Sequence, residues 1–254
     1  MRIFGRLTIV AALALTAVGA AQAQQEGTLR IGTEGAYPPF NYTTAGGELA
    51  GFDIDIARAL CERMEVECEF VTQDWDGIIP GLLAGRYDAI IASMSITEER
   101  QAVVDFTDRY YTNSLVFVAH ENAGIADVSP EALAGRALGA QSATISAAHL
   151  EDNFGASTLR LYPTQEDAYR DLAAGRLDAV LADFGVTYLW LHDTDEGQCC
   201  GFVGEPVVSD DEIGIAVRKG EDELRQAFNE ALAAIRADGT YQAINDRYFD
   251  FSVY

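Results

Sequence analysis

Short apolar runs alternate with stretches of helical periodicity along most of the chain. Runs bounded by turn residues occur at Leu29–Gly32, Ala89–Ala92, Leu115–Ala119, Ala179–Ala182 and Ile213–Val217. Short apolar runs between helical patterns are typical of buried strands in parallel sheets. The pattern therefore predicts an α/β fold with mostly parallel strands.

Two of the intervening stretches carry a clear amphipathic stripe. Apolar residues spaced by three or four positions lie on one face of a helix. We predict helices over Asp53–Met64 and Glu221–Asp238, the second ended by Gly239, a residue favoured just past a helix C-terminus. The stripes are formed by Phe52, Ile56, Leu60 and Met64 in the first helix and by Leu224, Phe228, Leu232 and Ile235 in the second.

An internal repeat indicates two similar lobes. The segment AGRYDAIIAS at Ala84–Ser93 recurs as AGRLDAVLAD at Ala174–Asp183. In each copy we expect a glycine to end a helix and Asp-Ala to open a strand, so that Ser93 or Asp183 lies at the carboxyl end of that strand. Ligands of open α/β sheets bind at this edge. The alternative is that both residues cap the following element, the commoner role of an isolated Ser or Asp.

Composition and charge exclude several classes of protein. The chain has 254 residues, 49% of them hydrophobic, which is enough for one large or two smaller domains and excludes general disorder. Seventeen Lys and Arg against forty Asp and Glu give a formal net charge of −23. A chain this acidic repels phosphate backbones and anionic headgroups. We therefore expect neither nucleic acid nor a membrane surface as a partner.

The N-terminal residues 1–23 have the pattern of a secretory signal peptide. Arg2 and Arg6 precede an apolar run at Leu7–Ala17, and Ala21–Ala23 is an A-x-A cleavage site. The run is shorter than the roughly 20 residues of a membrane span. We therefore predict export to the periplasm and cleavage before Gln24.

The four cysteines lie in two pairs, and an exported chain permits disulfides. Cys61 falls at the end of a predicted helix and Cys68 in the alternating run that follows. A helix-to-strand turn would bring them together, so we predict a disulfide there. Cys199 and Cys200 are adjacent, and the sequence leaves open whether they form a vicinal disulfide or stay reduced.

Motifs of common enzymes are absent from the sequence. It contains no G-x-S-x-G, H-E-x-x-H, phosphate-binding loop or G-x-G-x-x-G motif. The three histidines, His120, His149 and His192, stand alone without the spacing of zinc ligands. We predict neither a metal nor a cofactor, and no catalytic activity.

Five segments resemble one family. They are GTEGAYPPF at Gly32–Phe40, GFDIDIA at Gly51–Ala57, DAIIASMSITEER at Asp88–Arg100, ADGTY at Ala237–Tyr241 and the ending Tyr248-Phe249. Together they resemble the family-3 solute-binding proteins of polar amino-acid ABC importers, over nearly the whole mature chain.

The resemblance implies a two-lobed periplasmic-binding-protein fold of type II. Lobe 1 would comprise residues 24–111 and 213–254, and lobe 2 residues 112–212, with two hinge crossings between them. Such a monomer would close on an amino acid and present it to the membrane permease of an ABC importer.

A free α-amino acid needs partners for its charged groups, because burying a charge unpaired costs several kcal/mol. Arg100 suits the carboxylate, since a guanidinium can bind it bidentately. Thr97 has the pattern of an N-cap with Glu98 and Glu99 in the first turn, where a cation is disfavoured unless an anion is near. The alternative is a solvated surface arginine.

The resemblance also assigns the other groups of the amino acid. It implies that Ser93 and Thr144 hold its main-chain groups and that Asp183 accepts from its ammonium. Ser95 could add a hydroxyl or backbone N–H. Ala92 and Ile145 depart from the polar residues of the histidine-binding branch, which argues against histidine as the ligand.

Aromatic and acidic residues make up the predicted side-chain pocket. Tyr37 and Trp75 could stack on a cationic or planar group, or simply fill the core. Glu34 and Asp53 match positions that face a basic side chain in the lysine/arginine/ornithine branch. We therefore favour a cationic amino acid, namely arginine, lysine or ornithine, or an opine derivative.

The same residues allow two other functions. A periplasmic cyclohexadienyl dehydratase, acting on arogenate or prephenate, is known on this fold and could use a cleft acid for acid–base work. A detached sensory domain of a receptor is disfavoured by the lack of a transmembrane segment.

Overall fold

The computed structural model describes residues 27–254, so the predicted signal peptide at residues 1–23 lies outside the described residues. Strands and helices alternate through this range. The strands are β1 (Thr28–Thr33), β2 (Ala36–Tyr37), β3 (Asn41–Thr43), β4 (Leu49–Ala50), β5 (Glu67–Thr72), β6 (Ala89–Ile90), β7 (Val104–Phe106), β8 (Tyr111–His120), β9 (Ala137–Gln141), β10 (Thr158–Tyr162), β11 (Ala179–Asp183), β12 (Cys200–Ile213) and β13 (Ala216–Arg218). The helices are α1 (Phe52–Arg63), α2 (Ile78–Leu83), α3 (Glu98–Gln101), α4 (Ile145–Asn153), α5 (Gln165–Ala173), α6 (Phe184–Asp193), α7 (Asp222–Ala237) and α8 (Thr240–Tyr248).

Two five-stranded sheets form within residues 27–254, in the orders β5-β1-β6-β13-β7 and β10-β9-β11-β8-β12. In the first sheet β1 is parallel to β5 and β6, and β13 is antiparallel to β6 and β7. The second sheet repeats the arrangement, with β9 parallel to β10 and β11 and β8 antiparallel to β11 and β12. The α/β prediction is confirmed, but the prediction of mostly parallel strands is wrong. An apolar run shows that a strand is buried and carries no information on its direction.

The internal repeat corresponds to equivalent strands of the two sheets. In the first sheet the Asp88 carboxylate accepts from the backbone N–H of Arg30 (3.1 Å) and from its guanidinium (2.8 Å). In the second, the Asp178 carboxylate accepts from the backbone N–H of Ala137 (2.7 Å) and from the Arg136 guanidinium (2.9 Å). Each aspartate thus fastens the strand of the repeat to the parallel strand beside it, β1 in the first sheet and β9 in the second.

The apolar run Ile213–Val217 does not form one strand, contrary to the prediction. Ile213 ends β12 in the second sheet, and the next strand begins at Ala216 in the first. Between them the backbone of Ile215 pairs with Thr107, whose N–H donates to the Ile215 carbonyl and whose hydroxyl accepts from its N–H, both at 3.0 Å. The run is therefore divided where the chain changes sheets.

The two helices predicted from apolar stripes are present as α1 and α7. Gly239 follows α7 in the left-handed conformation, at φ +85°. The stripe residues that are almost completely buried are Phe52, Ile56 and Leu60 in α1 and Phe228, Leu232 and Ile235 in α7. Each helix therefore packs its stripe into the core of the first sheet.

The predicted disulfide joins Cys61 at the end of α1 to Cys68 in β5, with the Cα atoms 5.9 Å apart. Cys199 and Cys200 are also bridged, as a vicinal pair at the start of β12. Residues 27–254 contain no helix with the length and apolar character needed to cross a bilayer.

The chain passes between the two sheets at two adjacent points. Strand β8 leads into the second sheet and β12 returns from it, and the two strands pair antiparallel where they cross. The register places Tyr111 opposite Ile213, with the next residues of each strand continuing the ladder. Residues at or just beyond the carboxyl ends of parallel strands in both sheets line one cleft.

Candidate functional site

A narrow cleft with a cavity volume of about 20 Å³ lies between the two sheets. It brings together every predicted site residue except Asp53. The lining residues are Glu34, Tyr37, Trp75, Ala92, Ser93, Ser95 and Arg100 from the first-sheet side and Gln141, Thr144, Ile145, Ser146, Gln165 and Asp183 from the second.

Arg100 lies on α3 and is held from both sides of the cleft. Its guanidinium donates to the carbonyl of Ser95 (2.9 Å) and, across the cleft, to that of Ala143 (3.2 Å). The guanidinium lies over the ring of Trp75, 5.4 Å from its centroid. The predicted N-cap is present, because the hydroxyl of Thr97 accepts from the Arg100 backbone N–H at 3.1 Å. Burial lowers the Arg100 pKa, so an anion in the cleft would be a favourable partner.

The structure places Asp53 behind the cleft, in the core. Its side chain is fully buried and accepts from Asn41 (2.9 Å), the hydroxyl of Ser93 (3.0 Å) and the hydroxyl of Tyr110 (2.7 Å). Burial raises its pKa to about 6, although these hydrogen bonds act in the opposite direction. Asp53 therefore positions Ser93 and does not itself face the cleft, because α1 directs its first turn into the core.

Ser93 lies beyond the end of the strand that the repeat predicts. Strand β6 ends at Ile90, and Ser93 follows in a loop with φ +53°, in the left-handed region. A non-glycine residue is held there only when its surroundings fix it. The hydroxyl bond to Asp53 and a backbone bond to the Tyr110 hydroxyl (3.2 Å) supply that constraint.

Asp183 and Asp211 place two carboxylates beside Arg100. Asp183 ends β11 and lines the cleft, while Asp211 lies on β12 and accepts from the Ser95 hydroxyl at 2.9 Å. Burial raises the pKa of Asp183 to about 7, and the negative charge of Asp211 adds to the effect. Burial likewise raises the pKa of Asp211. A cation bound beside these two carboxylates would stabilise their charged forms and lower both pKa values.

Glu34 follows β1, Tyr37 ends β2, and both side chains line the cleft. The Glu34 carboxylate accepts from the Gln141 side chain at 2.6 Å. Burial raises the Glu34 pKa to about 7, and the nearby charges of Asp74 and Asp76 add to the effect. Tyr37 is buried, and both its burial and the charge of Asp183 raise its pKa well above the ordinary value.

Residues 141–143, at the end of β9 and directly after it, make direct contacts across the cleft. Besides the Gln141 and Ala143 contacts above, the Ser142 hydroxyl donates to Asp76 at 2.9 Å and the Trp75 indole N–H donates to the Ala143 carbonyl at 3.0 Å. Ala143 has φ +53°, so this tight turn directs its carbonyl at the first-sheet side. The cleft is therefore closed.

Some lining residues were missed from the sequence. Gln141 ends β9 as Asp183 ends the neighbouring β11, so the strand-end rule applied to every apolar run could have found it. Ser146 and Gln165 lie in the first turns of α4 and α5, and Asp211, which does not line the cleft but accepts from Ser95, lies in the crossing strand. No sequence pattern marks these three.

The chain is similar in sequence to bacterial solute-binding proteins over nearly its whole length. The family described as bacterial extracellular solute-binding proteins, family 3, matches residues 29–251. An L-arginine-binding protein of Pseudomonas aeruginosa is 43% identical over 257 aligned positions, which cover 98% of both chains. A histidine-binding periplasmic protein of Escherichia coli is 37% identical over 98% of this chain and 97% of its own.

Solved structures show the same similarity. An ancestral arginine-binding protein bound to arginine superposes with a TM-score of 0.81 at 37% identity, covering 88% of this chain and 98% of its own. An ancestral amino-acid-binding protein, described as a precursor of cyclohexadienyl dehydratase, has a TM-score of 0.81 at 31% identity, over 88% of this chain and 96% of its own.

Proposed function

This chain belongs to the family-3 bacterial extracellular solute-binding proteins, and from that premise we propose that it captures a cationic amino acid in the periplasm for an ABC importer. The ligand class is arginine, lysine, ornithine or an opine derivative of arginine. The observation that carries the proposal is the charge in the cleft, where the Arg100 guanidinium lies together with two acids, Asp183 and the partly buried Glu34.

The main-chain groups of an amino acid fit the Arg100 end of the cleft. The α-carboxylate would meet the guanidinium of Arg100 and the first turn of α4, where Thr144 and Ser146 line the cleft. The α-ammonium would meet Asp183, whose raised pKa reflects a buried carboxylate without a cation in contact.

The side chain would extend towards Glu34. A cationic group there would pair with the Glu34 carboxylate, and the aromatic rings of Tyr37 and Trp75 would pack along the aliphatic part. An anionic side chain would face a repelling carboxylate. The proposal therefore excludes glutamate and aspartate as the preferred ligands.

Closure would follow a hinge between two lobes, residues 24–111 with 213–254 and residues 112–212. The paired crossings of β8 and β12 supply two adjacent strands about which the lobes could rotate. The contacts of residues 141–143 with Glu34, Trp75 and Asp76 would hold the closed form. A membrane permease would then recognise the closed monomer.

A ligand screen tests the proposal. The mature protein is heated with each of the twenty amino acids, ornithine, citrulline and octopine, and hits are titrated by calorimetry. A ligand at one hundred times its Kd stabilises by about 2.7 kcal/mol, which gives a clear thermal shift. We expect arginine, lysine, ornithine or octopine to bind tightest. Tighter binding of glutamate or of an uncharged amino acid would refute the ligand class.

The dehydratase remains the second candidate, on the observation that a relative described as its precursor shares the fold at 31% identity. Asp183 and Glu34, with pKa values raised to about 7, are carboxyls that could exchange protons near neutral pH. Incubation with prephenate and arogenate distinguishes the two functions. We expect no product, whereas turnover would establish the enzyme.

A further inference from the structure

Strand β12 contains a β-bulge where it runs back towards the first sheet. Val208 lies opposite Leu115 of β8. The next residue of β12 with a partner, Asp211, lies opposite Asn113, so three steps along β12 match two along β8. Asp210 lies inside the bulge at φ +59°, in the left-handed region. A bulge of this kind changes the direction of the side chains that follow it.

The bulge decides which of two neighbouring aspartates faces inward. In a regular antiparallel ladder side chains alternate between faces, and directly opposite residues share one face. Without the extra residue, Asp210 would lie opposite the buried Asn113. With it, Asp210 is exposed, and Asp211 is half-buried and accepts from the Ser95 hydroxyl at 2.9 Å. The irregular strand therefore directs the second carboxylate towards Ser95.

Ser95 is fixed by its backbone as well as by this hydrogen bond. Its backbone forms an isolated antiparallel bridge with Ile213, at the end of β12. Its carbonyl accepts from the Arg100 guanidinium at 2.9 Å. Ser95 is 5% exposed and lines the cleft. Its hydroxyl is therefore close to the group that we assign to the α-carboxylate of the ligand.

The bond to Asp211 limits what the Ser95 hydroxyl can offer a ligand. A serine hydroxyl has one proton to donate and two lone pairs that accept. Because the proton is directed at Asp211, the lone pairs are left for the cleft. An ammonium has donors and no acceptor, so it fits this hydroxyl, whereas a carboxylate, which only accepts, does not.

We propose that Asp211 is a positioning residue that keeps the Ser95 hydroxyl as an acceptor for the α-ammonium of the bound amino acid. The inference rests on the proposed function and deepens it, because it sets the orientation of the main-chain groups. The carboxylate lies at Arg100 and the ammonium at Ser95 and Asp183. The charge of Asp211 acts on Asp183 and raises its pKa, so both carboxylates favour a cation at this position.

A double-mutant cycle on ligand binding tests the proposal. Asp211→Leu removes the acceptor and roughly keeps the size, and Ser95→Ala removes the hydroxyl. Calorimetry with L-arginine, L-lysine and L-ornithine should show affinity lowered about fivefold to fiftyfold by Asp211→Leu. In the Ser95→Ala background the same substitution should lower affinity less than about threefold. Because the three ligands share the α-ammonium, each should lose affinity by a similar factor.

Two further variants separate orientation of the hydroxyl from charge. Asp211→Asn keeps an oxygen that can accept from Ser95, so it should recover most of the affinity that Asp211→Leu loses. Asp210→Asn is the matched control, because it makes the same change of charge one residue away at an exposed position, and it should leave affinity unchanged. If Asp211→Asn loses as much affinity as Asp211→Leu, the carboxylate acts through its charge alone and the inference is overturned.

Melting curves without ligand check that each variant folds, and Asp211→Ala replaces Asp211→Leu if the larger side chain prevents folding. An undiminished loss in the Ser95→Ala background, or a loss for one ligand only, would also overturn the inference. If the parent protein binds none of the three ligands, the proposed function itself fails, and the parent titration shows that before any variant is compared.

Discussion

The indole nitrogen of Trp75 donates to the carbonyl oxygen of Ala143 at 3.0 Å, and the same oxygen accepts from the Arg100 guanidinium at 3.2 Å. One backbone carbonyl on the second-sheet side of the cleft thus accepts hydrogen bonds from two side chains on the first-sheet side. The position of Arg100, and with it the proposed carboxylate site, is coupled to closure of the cleft.

Trp75→Phe should weaken ligand binding by about twofold to tenfold, because it keeps an aromatic ring and removes one hydrogen bond worth about 0.5–1.5 kcal/mol. Calorimetry with the best ligand measures the effect. Trp190→Phe is the control, since Trp190 stacks on Tyr169 away from the cleft. Equal losses in the two variants would contradict a role for the Ala143 contact.

Arg100→Ala should lower affinity by about thirtyfold to several thousandfold, since truncating one partner of a buried charge pair costs about 2–5 kcal/mol. Arg100→Lys should recover only part of the loss, because an ammonium cannot bind the carboxylate bidentately. The control is Arg58→Ala, an exposed arginine of α1. If Arg100→Ala binds within about threefold of the parent, the α-carboxylate is held elsewhere.

Asp53→Ala should destabilise the free protein by about 2–4 kcal/mol, because the hydrogen-bond donors of Asn41, Ser93 and Tyr110 would lose their buried acceptor. Urea unfolding measures the change. Glu62→Ala, on the exposed face of the same helix, should change the free energy of unfolding far less. A loss below about 1 kcal/mol for Asp53→Ala would contradict the structural role.

The pH dependence of stability follows from the raised carboxyl pKa values. The pKa of Asp183 is about 7 in the folded protein, against an ordinary value of 3.8, so the folded state holds this proton more tightly than the unfolded state. Its contribution to stability is therefore present below about pH 4 and is lost as the pH rises through about 7. Asp183→Asn should raise the free energy of unfolding at pH 8 and leave it nearly unchanged at pH 4. Asp193→Asn, at the exposed end of α6, is the control, and equal effects of both variants would refute the assignment.

Binding of a cation should have the opposite pH dependence. A cationic ligand stabilises the charged forms of Glu34 and Asp183, whose pKa values are raised to about 7 in the protein without ligand. Affinity should therefore rise from pH 5 to pH 8, with release of protons on binding. Titration at pH 6 in buffers of different ionisation enthalpy measures that release, and absence of proton release would show that neither carboxyl meets the ligand's charge.

The disulfide between Cys61 and Cys68 should be present in protein exported to the periplasm. Trypsin cleaves after Arg63, between the two cysteines, so mass spectrometry of a non-reduced digest should find two linked peptides. The loop-entropy model gives the bridge about 2.5 kcal/mol. Two alkylatable thiols at these positions would refute the bridge.

The sequence by itself determined the local elements and the symmetry of the fold. The stripes of α1 and α7, the N-cap at Thr97 and the strands of the repeat follow from spacings of a few residues, which report directly on which face is buried. The family motifs added most of the residues that line the cleft. Strand direction was not predictable, because the antiparallel strands β8 and β13 are buried among other elements and carry the same continuous apolar runs as buried parallel strands.

The tertiary structure decided which polar groups face the cleft and which only support it. Asp53 and Asp183 are both acids next to apolar segments, yet α1 directs the first into the core and β11 ends with the second at the cleft. The bond from Ser95 to Asp211 joins residues 116 positions apart. Such contacts depend on how two sheets and their crossing strands are assembled, and no local periodicity contains that information.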